Sequence, residues 1–107
     1  MPKYLIQAAY TAEGLKGLAK DKASGRKAAV QAAMKAVKGK IDSMYFSFGA
    51  DDVFLVVDAP DNIAVASISL TAGATGLVNI RVTPLLTVEE VDQALALPNK
   101  YRAPGAD

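Results

Sequence analysis

The feature that most constrains this chain is the short connection between two strand-like runs near its middle. Residues 40–48 and 53–59 are rich in aromatic and β-branched residues, and only the four residues 49–52, GADD, separate them. A connection this short joins antiparallel neighbours, and glycine and aspartate are typical of such turns. The sequence therefore predicts a central β-hairpin.

The residues before this hairpin predict one strand followed by helical segments. Residues 3–10 alternate between two faces, as a strand does. Two glycines in residues 11–22 predict a weak or broken helix, for which Thr11 is the expected cap. The clearest helix follows, and we expect Ser24 to cap it and Gly39 to end it.

The residues after the hairpin repeat the pattern of a helix followed by a strand. Asp61 is the expected cap of an uncharged helix over residues 62–74, and residues 77–86 predict a fourth strand. A short final helix comes next, since Thr87 and Glu90 have the spacing of a capping box.

This order of elements predicts an α+β fold. Two β-α-β halves that meet at a hairpin form a ferredoxin-like βαββαβ sandwich, here with an extra C-terminal helix. The 107 residues are enough for one domain, so we expect a single domain over residues 1–107. Its last part, from about residue 97, is rich in proline and polar residues and is expected to be an extended tail.

The predicted strands are apolar on both faces, although one face of such a sheet has no helices. In residues 53–57, VFLVV, apolar side chains occupy successive positions, so both faces are apolar. Large exposed apolar patches mark interfaces. We therefore expect the chain to assemble with itself, most simply as a homodimer.

Composition removes several kinds of site. The chain has no cysteine and no histidine. Without cysteine there is no disulfide, thiolate metal site or thiol nucleophile, and without histidine the commonest metal ligand and neutral-pH proton carrier is missing. We expect neither a metal nor a cofactor.

The net charge of the chain limits the kinds of partner that it is expected to bind. Twelve basic residues face eleven acidic ones, for a net charge of +1, whereas general nucleic-acid binders carry a basic excess. Lys27, Lys35 and Lys38 form a stripe that we interpret as a solvated helix face, with an anion or nucleic-acid site as the alternative.

Residues 62–82 predict a helix and a strand rather than a membrane span. The N-terminal residues do not resemble a signal peptide, so we expect a cytoplasmic protein.

Several segments together resemble one known family. They are the opening MPKYLIQAAYTAEGLKGL, the helix GRKAAVQAA, the block YFSFGADDVFLVVDAPDN, and the closing LLTVEEVDQAL with its YRAPG tail. In their order and spacing they are similar to the GYD domain family. That resemblance implies membership of the dimeric α/β-barrel superfamily, in which two ferredoxin-like sheets pack together, and it implies no particular activity.

The turn departs from the family at one position. Family members usually have a tyrosine between the glycine and the last acid of the turn, and Gly49 and Asp52 match that pattern. Asp51 stands at the tyrosine position. If an aromatic ring there belongs to a site, this chain lacks it.

The candidate site residues are acids, tyrosines and one arginine. Asp51 is interpreted as a solvated turn residue and Asp52 as a turn or strand-entry residue that bonds nearby backbone, with Asp52 the preferred acid if the turn is functional. Tyr45 and Arg81 are the other catalytic candidates, although Arg81 is expected to pair with an acid such as Asp52 or Asp58. The candidates for binding a small apolar or aromatic ligand are Tyr4, Tyr10 and Tyr45.

Three functions remain open at this point. The first is a non-enzymatic oligomeric module that binds a small ligand or serves as a structural or regulatory subunit. The second is a small cofactor-free enzyme of the dimeric α/β-barrel type, a monooxygenase or an isomerase, supported only by analogy of fold. The third is nucleic-acid binding through the lysine stripe.

Overall fold

The computed structural model describes residues 1–107 and has an α+β architecture. The elements in chain order are β1 (Lys3–Tyr10), α1 (Ala12–Ala36), β2 (Lys40–Phe46), β3 (Val53–Asp58), α2 (Asn62–Ala74), β4 (Val78–Leu85) and α3 (Val88–Ala96). The strands form one antiparallel sheet in the order β2-β3-β1-β4. This topology is compatible with the ferredoxin-like plan expected from the sequence.

The central hairpin has a longer connection than the sequence predicts. Strand β2 ends at Phe46 and β3 begins at Val53, so residues 47–52 form the loop. The Ser47 N–H donates to the Asp52 carbonyl at 2.7 Å, which closes the loop at its base. Phe48 is fully exposed, because it lies in this loop rather than in the strand.

Helix α1 spans both predicted helical segments and is broken close to the boundary between them. Thr11 caps it as predicted, accepting a hydrogen bond from the Gly14 N–H at 3.2 Å. The interruption lies at Lys22, whose φ of 67° and ψ of 164° are not helical, two residues before the cap predicted at Ser24. Neither glycine of the first segment causes the break, since both keep helical geometry.

At the end of α1, Lys38 takes the role that the sequence predicts for Gly39. Lys38 adopts the left-handed conformation, with φ 64°, and the Gly39 N–H donates to the Met34 carbonyl at 2.8 Å. Together with the hydrogen bond from the Lys38 N–H to the Lys35 carbonyl at 3.0 Å, this bond forms a Schellman motif, with lysine in the position that glycine usually occupies. Gly39 is needed for close packing instead, because a Cβ there would lie 2.7 Å from the Asp58 carbonyl oxygen.

The two later helices begin as predicted. Asp61 accepts a hydrogen bond from the Ala64 N–H at 2.9 Å and caps α2, and Thr87 and Glu90 form the capping box of α3. Helix α2 has 13 residues and leads into β4. None of the helices combines the length and the apolar character needed to cross a membrane.

The core lies between the sheet and helices α1 and α2. Alternate residues of the two central strands supply most of it, namely Tyr4, Ile6, Ala8, Val53, Leu55 and Val57. Met34 of α1 and Val65 of α2 close it from the other side. Helix α3 contributes nothing to this core, since none of its residues is buried.

Candidate functional site

The sheet face opposite the helices, which we call the open face, carries one row of side chains across all four strands. Tyr45 lies opposite Phe54, Phe54 opposite Gln7, and Gln7 opposite Arg81. Tyr45 and Arg81, two of the catalytic candidates, are the ends of this row. Three strand spacings, roughly 14 Å, separate their backbones, so they share a face without meeting.

Asp51 joins the arginine end of this row. Its carboxylate accepts hydrogen bonds from the Gln7 amide at 3.2 Å and from the Arg81 guanidinium. The Asp51 side chain is only 12% exposed, whereas that of Arg81 is 67% exposed. The expectation that Asp51 is a solvated turn residue is therefore wrong, because the loop folds this carboxylate back onto the sheet.

Arg81 therefore pairs with a different acid from those expected. Neither Asp52 nor Asp58 is its partner. Asp58 is buried and accepts a hydrogen bond from Lys3 at 2.9 Å, and Lys3 also reaches Asp42 at 3.2 Å. The hydrogen bond to Asp58, and then that to Asp42, raise the pKa of the Lys3 ammonium above its ordinary value.

Asp52, the acid that matches the family turn, binds backbone. Its Oδ2 accepts a hydrogen bond from the Tyr10 N–H at 2.7 Å. Its own N–H donates to the Ala8 carbonyl at 2.8 Å. The side chain thus continues the β1–β3 ladder beyond its last paired residues, and it makes no hydrogen bond to Tyr45 or Arg81.

The three candidate tyrosines do not line one cavity within the chain. Tyr4 is buried under α2, where its hydroxyl donates to Asn62 Oδ1 at 2.7 Å. Tyr10 lies on the same face of β1 at the opposite end of the strand and borders the core. Tyr45 lies on the open face and is 72% exposed.

The lysines of the proposed anion stripe are all exposed. Lys27 and Lys35 lie in α1, while Lys38 lies beyond its end in the left-handed conformation. None of them makes a salt bridge. The stripe is therefore shorter than the helical spacing predicts.

A cleft that the sequence analysis did not identify lies between α1 and α2, above the sheet. Its deeper part is lined by 13 residues, of which 12 are hydrophobic and the other is Arg26. Its outer part has a volume of about 210 Å³ and is bordered by Gly14, Gly17, Asp21 and Arg26. The pair of glycines three residues apart is the available sequence signal, although by helix propensity it predicts only a weak helix.

No group of three or more acidic side chains is arranged to hold a metal ion.

The family model described as "GYD domain" matches residues 4–95, which is most of the chain. No curated protein and no solved structure matches the chain significantly.

Proposed function

This chain belongs to the GYD domain family, and we propose that it is a homo-oligomeric, non-enzymatic module that binds a small, largely apolar molecule. The observation that carries the assembly is the amount of surface left uncovered. The chain exposes 7583 Å². A monomeric protein of 11.2 kDa is expected to expose about 5,700 Å². The difference, roughly 1,900 Å², exceeds the ~800 Å² that each partner buries in a standard interface.

Helix α3 accounts for part of this surface. Val88, Val91 and Leu95 follow helical spacing on one side of it, and all three are exposed. The chain extends over 60 Å, and its radius of gyration is 17.2 Å. A compact domain of this length has a radius of about 13 Å. An amphipathic helix held away from its own core requires an apolar partner, and we infer that a second copy supplies it.

The open face supports the same assembly, because a partner that covered it would bury no unpaired charged side chain of β1, β3 or β4. Among the side chains that β1, β3 and β4 direct to this face, the charged ones are Lys3, Asp58 and Arg81, and each has a partner within its own chain. Between these ion pairs lie Leu5 and Val56, which are paired across the strands. Apolar surface with satisfied charges is what a face-to-face packing of two sheets needs, as in a dimeric α/β barrel.

Binding is favoured over catalysis, because the largely apolar cleft between α1 and α2 offers space for a small molecule while the candidate acids are engaged elsewhere. Asp52 is engaged with the backbone of β1, and Asp51 is neutralised by Arg81. A monooxygenase or isomerase acting through Asp52, Tyr45 and Arg81 would need these groups around one reacting atom. No observation specifically favours the nucleic-acid alternative, since Lys27 and Lys35 lie on a chain of net charge +1.

The assembly is tested by measuring the mass of the chain in solution by light scattering over a dilution series. We expect the mass of two or more chains for the unmodified protein and the mass of one chain for Leu95→Lys. Ile63→Lys is the matched control, because Ile63 in α2 is 79% exposed, the same as Leu95. It should leave the mass unchanged.

Two results would contradict this assignment. A single-chain mass for the unmodified protein at every concentration would overturn the assembly itself. Dissociation by Ile63→Lys but not by Leu95→Lys would place the interface on α2 rather than on α3.

A further inference from the structure

The cleft between α1 and α2 exists because the two helices pack on different strands. Helix α1 contacts β1 and β2, whereas α2 contacts β4 at the opposite edge of the sheet. The two helices do not pack extensively against each other. The space above β1 and β4 is therefore left open between them.

The deeper part of the cleft, which we call the inner chamber, has the character of a hydrophobic binding site. Its floor is formed by Ile6 and Ala8 of β1 with Ile80 of β4, and its sides by Val30 of α1 and Ile68 of α2. Its volume is about 100 Å³. Inner and outer parts together lie near the lower end of the ~300–1,000 Å³ usual for ligand sites, so a small molecule is the appropriate occupant.

Arg26 is the one charged side chain that lines both parts of the cleft. Its only ion pair is with Asp21, at 3.5 Å, which is the long limit for a hydrogen bond. A guanidinium has five N–H donors, so most of its hydrogen-bonding capacity remains for a ligand. Tyr10 also borders both parts, and its hydroxyl makes no hydrogen bond within the chain.

The break at Lys22 explains why Arg26 is placed at this junction. The segment of α1 before the break borders the outer part with Gly17 and Asp21. The segment after it borders the inner chamber with Val30 and Met34. Arg26 follows the break by one helical turn and so stands where the polar entrance meets the apolar interior.

We propose that this cleft binds a small monocarboxylic acid with an aliphatic or aromatic body. The carboxylate accepts hydrogen bonds from Arg26, and the apolar body occupies the inner chamber. This inference rests on the binding role proposed above, but it does not depend on the assembly. Asp21 competes with the ligand for Arg26, so its removal should strengthen binding.

The test uses sodium hexanoate as the probe and 1-hexanol, which has the same chain length and no charge, as its control. Each is titrated into the protein while amide shifts are followed by two-dimensional NMR. We expect saturable hexanoate shifts concentrated at Gly14, Gly17, Ala72 and Val78, and weaker binding of 1-hexanol. Light scattering of the same samples reports the oligomer independently.

Four variants separate the contributions of charge and of space. Arg26→Gln should weaken hexanoate by about tenfold or more and leave 1-hexanol unchanged. Asp21→Asn should strengthen hexanoate by about two- to fivefold. Gly17→Leu should block both ligands by filling the outer part, where a Cβ meets no atom within 4 Å. Ala72→Leu fills the junction from α2 and provides the same test if Gly17→Leu does not fold.

Each other outcome overturns a defined part of the proposal. Equal binding of hexanoate and 1-hexanol at the cleft, unaffected by Arg26→Gln, would refute the carboxylate class but retain a binding role. Saturable shifts that the filling variants leave unchanged would refute this site but retain a binding role elsewhere on the chain. Shifts that saturate for neither ligand would refute the site and the binding role together. A single-chain mass with intact hexanoate binding would refute only the assembly.

Discussion

The carboxylate of Asp52 accepts a hydrogen bond from the backbone N–H of Tyr10 at 2.7 Å, and this contact joins the central loop to the end of β1. Strands β1 and β3 are paired only as far as Ala8 and Val53. Beyond that point the Asp52 carboxylate accepts the hydrogen bond that a backbone carbonyl of the neighbouring strand would otherwise accept. The family acid of the turn therefore has a structural role in this chain that does not require catalysis.

Replacement of Asp52 tests this structural role. Asp52→Ala should lower the free energy of unfolding by about 1–2 kcal/mol, because the partly buried Tyr10 N–H loses its acceptor. Asp52→Asn retains an acceptor oxygen and should cost less than half as much. Urea unfolding at one chain concentration measures both. Equal losses in the two variants would show that the charge, and not the hydrogen bond, is what matters.

The coupling between Asp51 and Arg81 should report whether a second copy covers the open face. In a dissociated chain, such as the Leu95→Lys background, Arg81 is 67% exposed, so a double-mutant cycle of Asp51→Asn and Arg81→Gln should give a coupling energy of about 0.2–1 kcal/mol that decreases in high salt. In the assembled protein the pair is withdrawn from water, and the coupling energy should rise to about 2 kcal/mol or more. Unfolding of the four proteins in urea provides the measurement in each background, and equal weak coupling in both would contradict the covering of this face.

The sequence was sufficient for features determined by local chemistry. The caps at Thr11 and Asp61 and the box of Thr87 with Glu90 are patterns within four residues of each other, and the order of elements follows from periodicity. These features could be predicted because each depends on neighbours in the chain.

Features that depend on register or on distant packing could not be predicted. The partner of Arg81 follows from its position opposite Gln7 and from the way the loop folds, which no spacing in the sequence reports. The close packing of Gly39 against Asp58 likewise depends on a tertiary contact. The cleft is a gap between two helices, and a gap has no residue pattern of its own.

The pH dependence of stability should show the contribution of Lys3 in the alkaline range. The pKa of Lys3 is raised in the fold above its ordinary value of 10.5, first by Asp58 and then by Asp42. A raised pKa means that the stabilisation from the ion pairs of Lys3 is complete below pH 10.5. This stabilisation is lost as the pH rises through the higher pKa of Lys3 in the folded state.

The measurement is the difference in unfolding free energy between the unmodified protein and Lys3→Gln from pH 8 upward. This difference should be constant at first and then decrease above pH 10.5. Because every other ionisable group is common to both proteins, the difference isolates Lys3. In an Asp58→Asn background the decrease should be smaller, and a difference that stays constant to the highest pH would contradict the assignment.

Two glycines of α1, three residues apart, should respond in opposite directions to the same substitution. A Cβ on Gly14 would overlap the backbone carbonyl oxygen of Leu77, which cannot move without displacing the start of β4. We expect Gly14→Ala to lower the free energy of unfolding by about 2–3 kcal/mol. A Cβ on Gly17 meets no atom within 4 Å, so Gly17→Ala should raise it by about 0.5–1 kcal/mol, because alanine loses less backbone freedom on folding.

Urea unfolding at matched concentration measures the two variants side by side, and each controls for the other, since both change the same helix by one methyl group. Equal stabilisation in both would mean that β4 does not approach α1 at Gly14 as closely as the structure shows. Destabilisation in both would mean that the outer part of the cleft is filled rather than open, and the space assigned to a ligand at Gly17 would not exist.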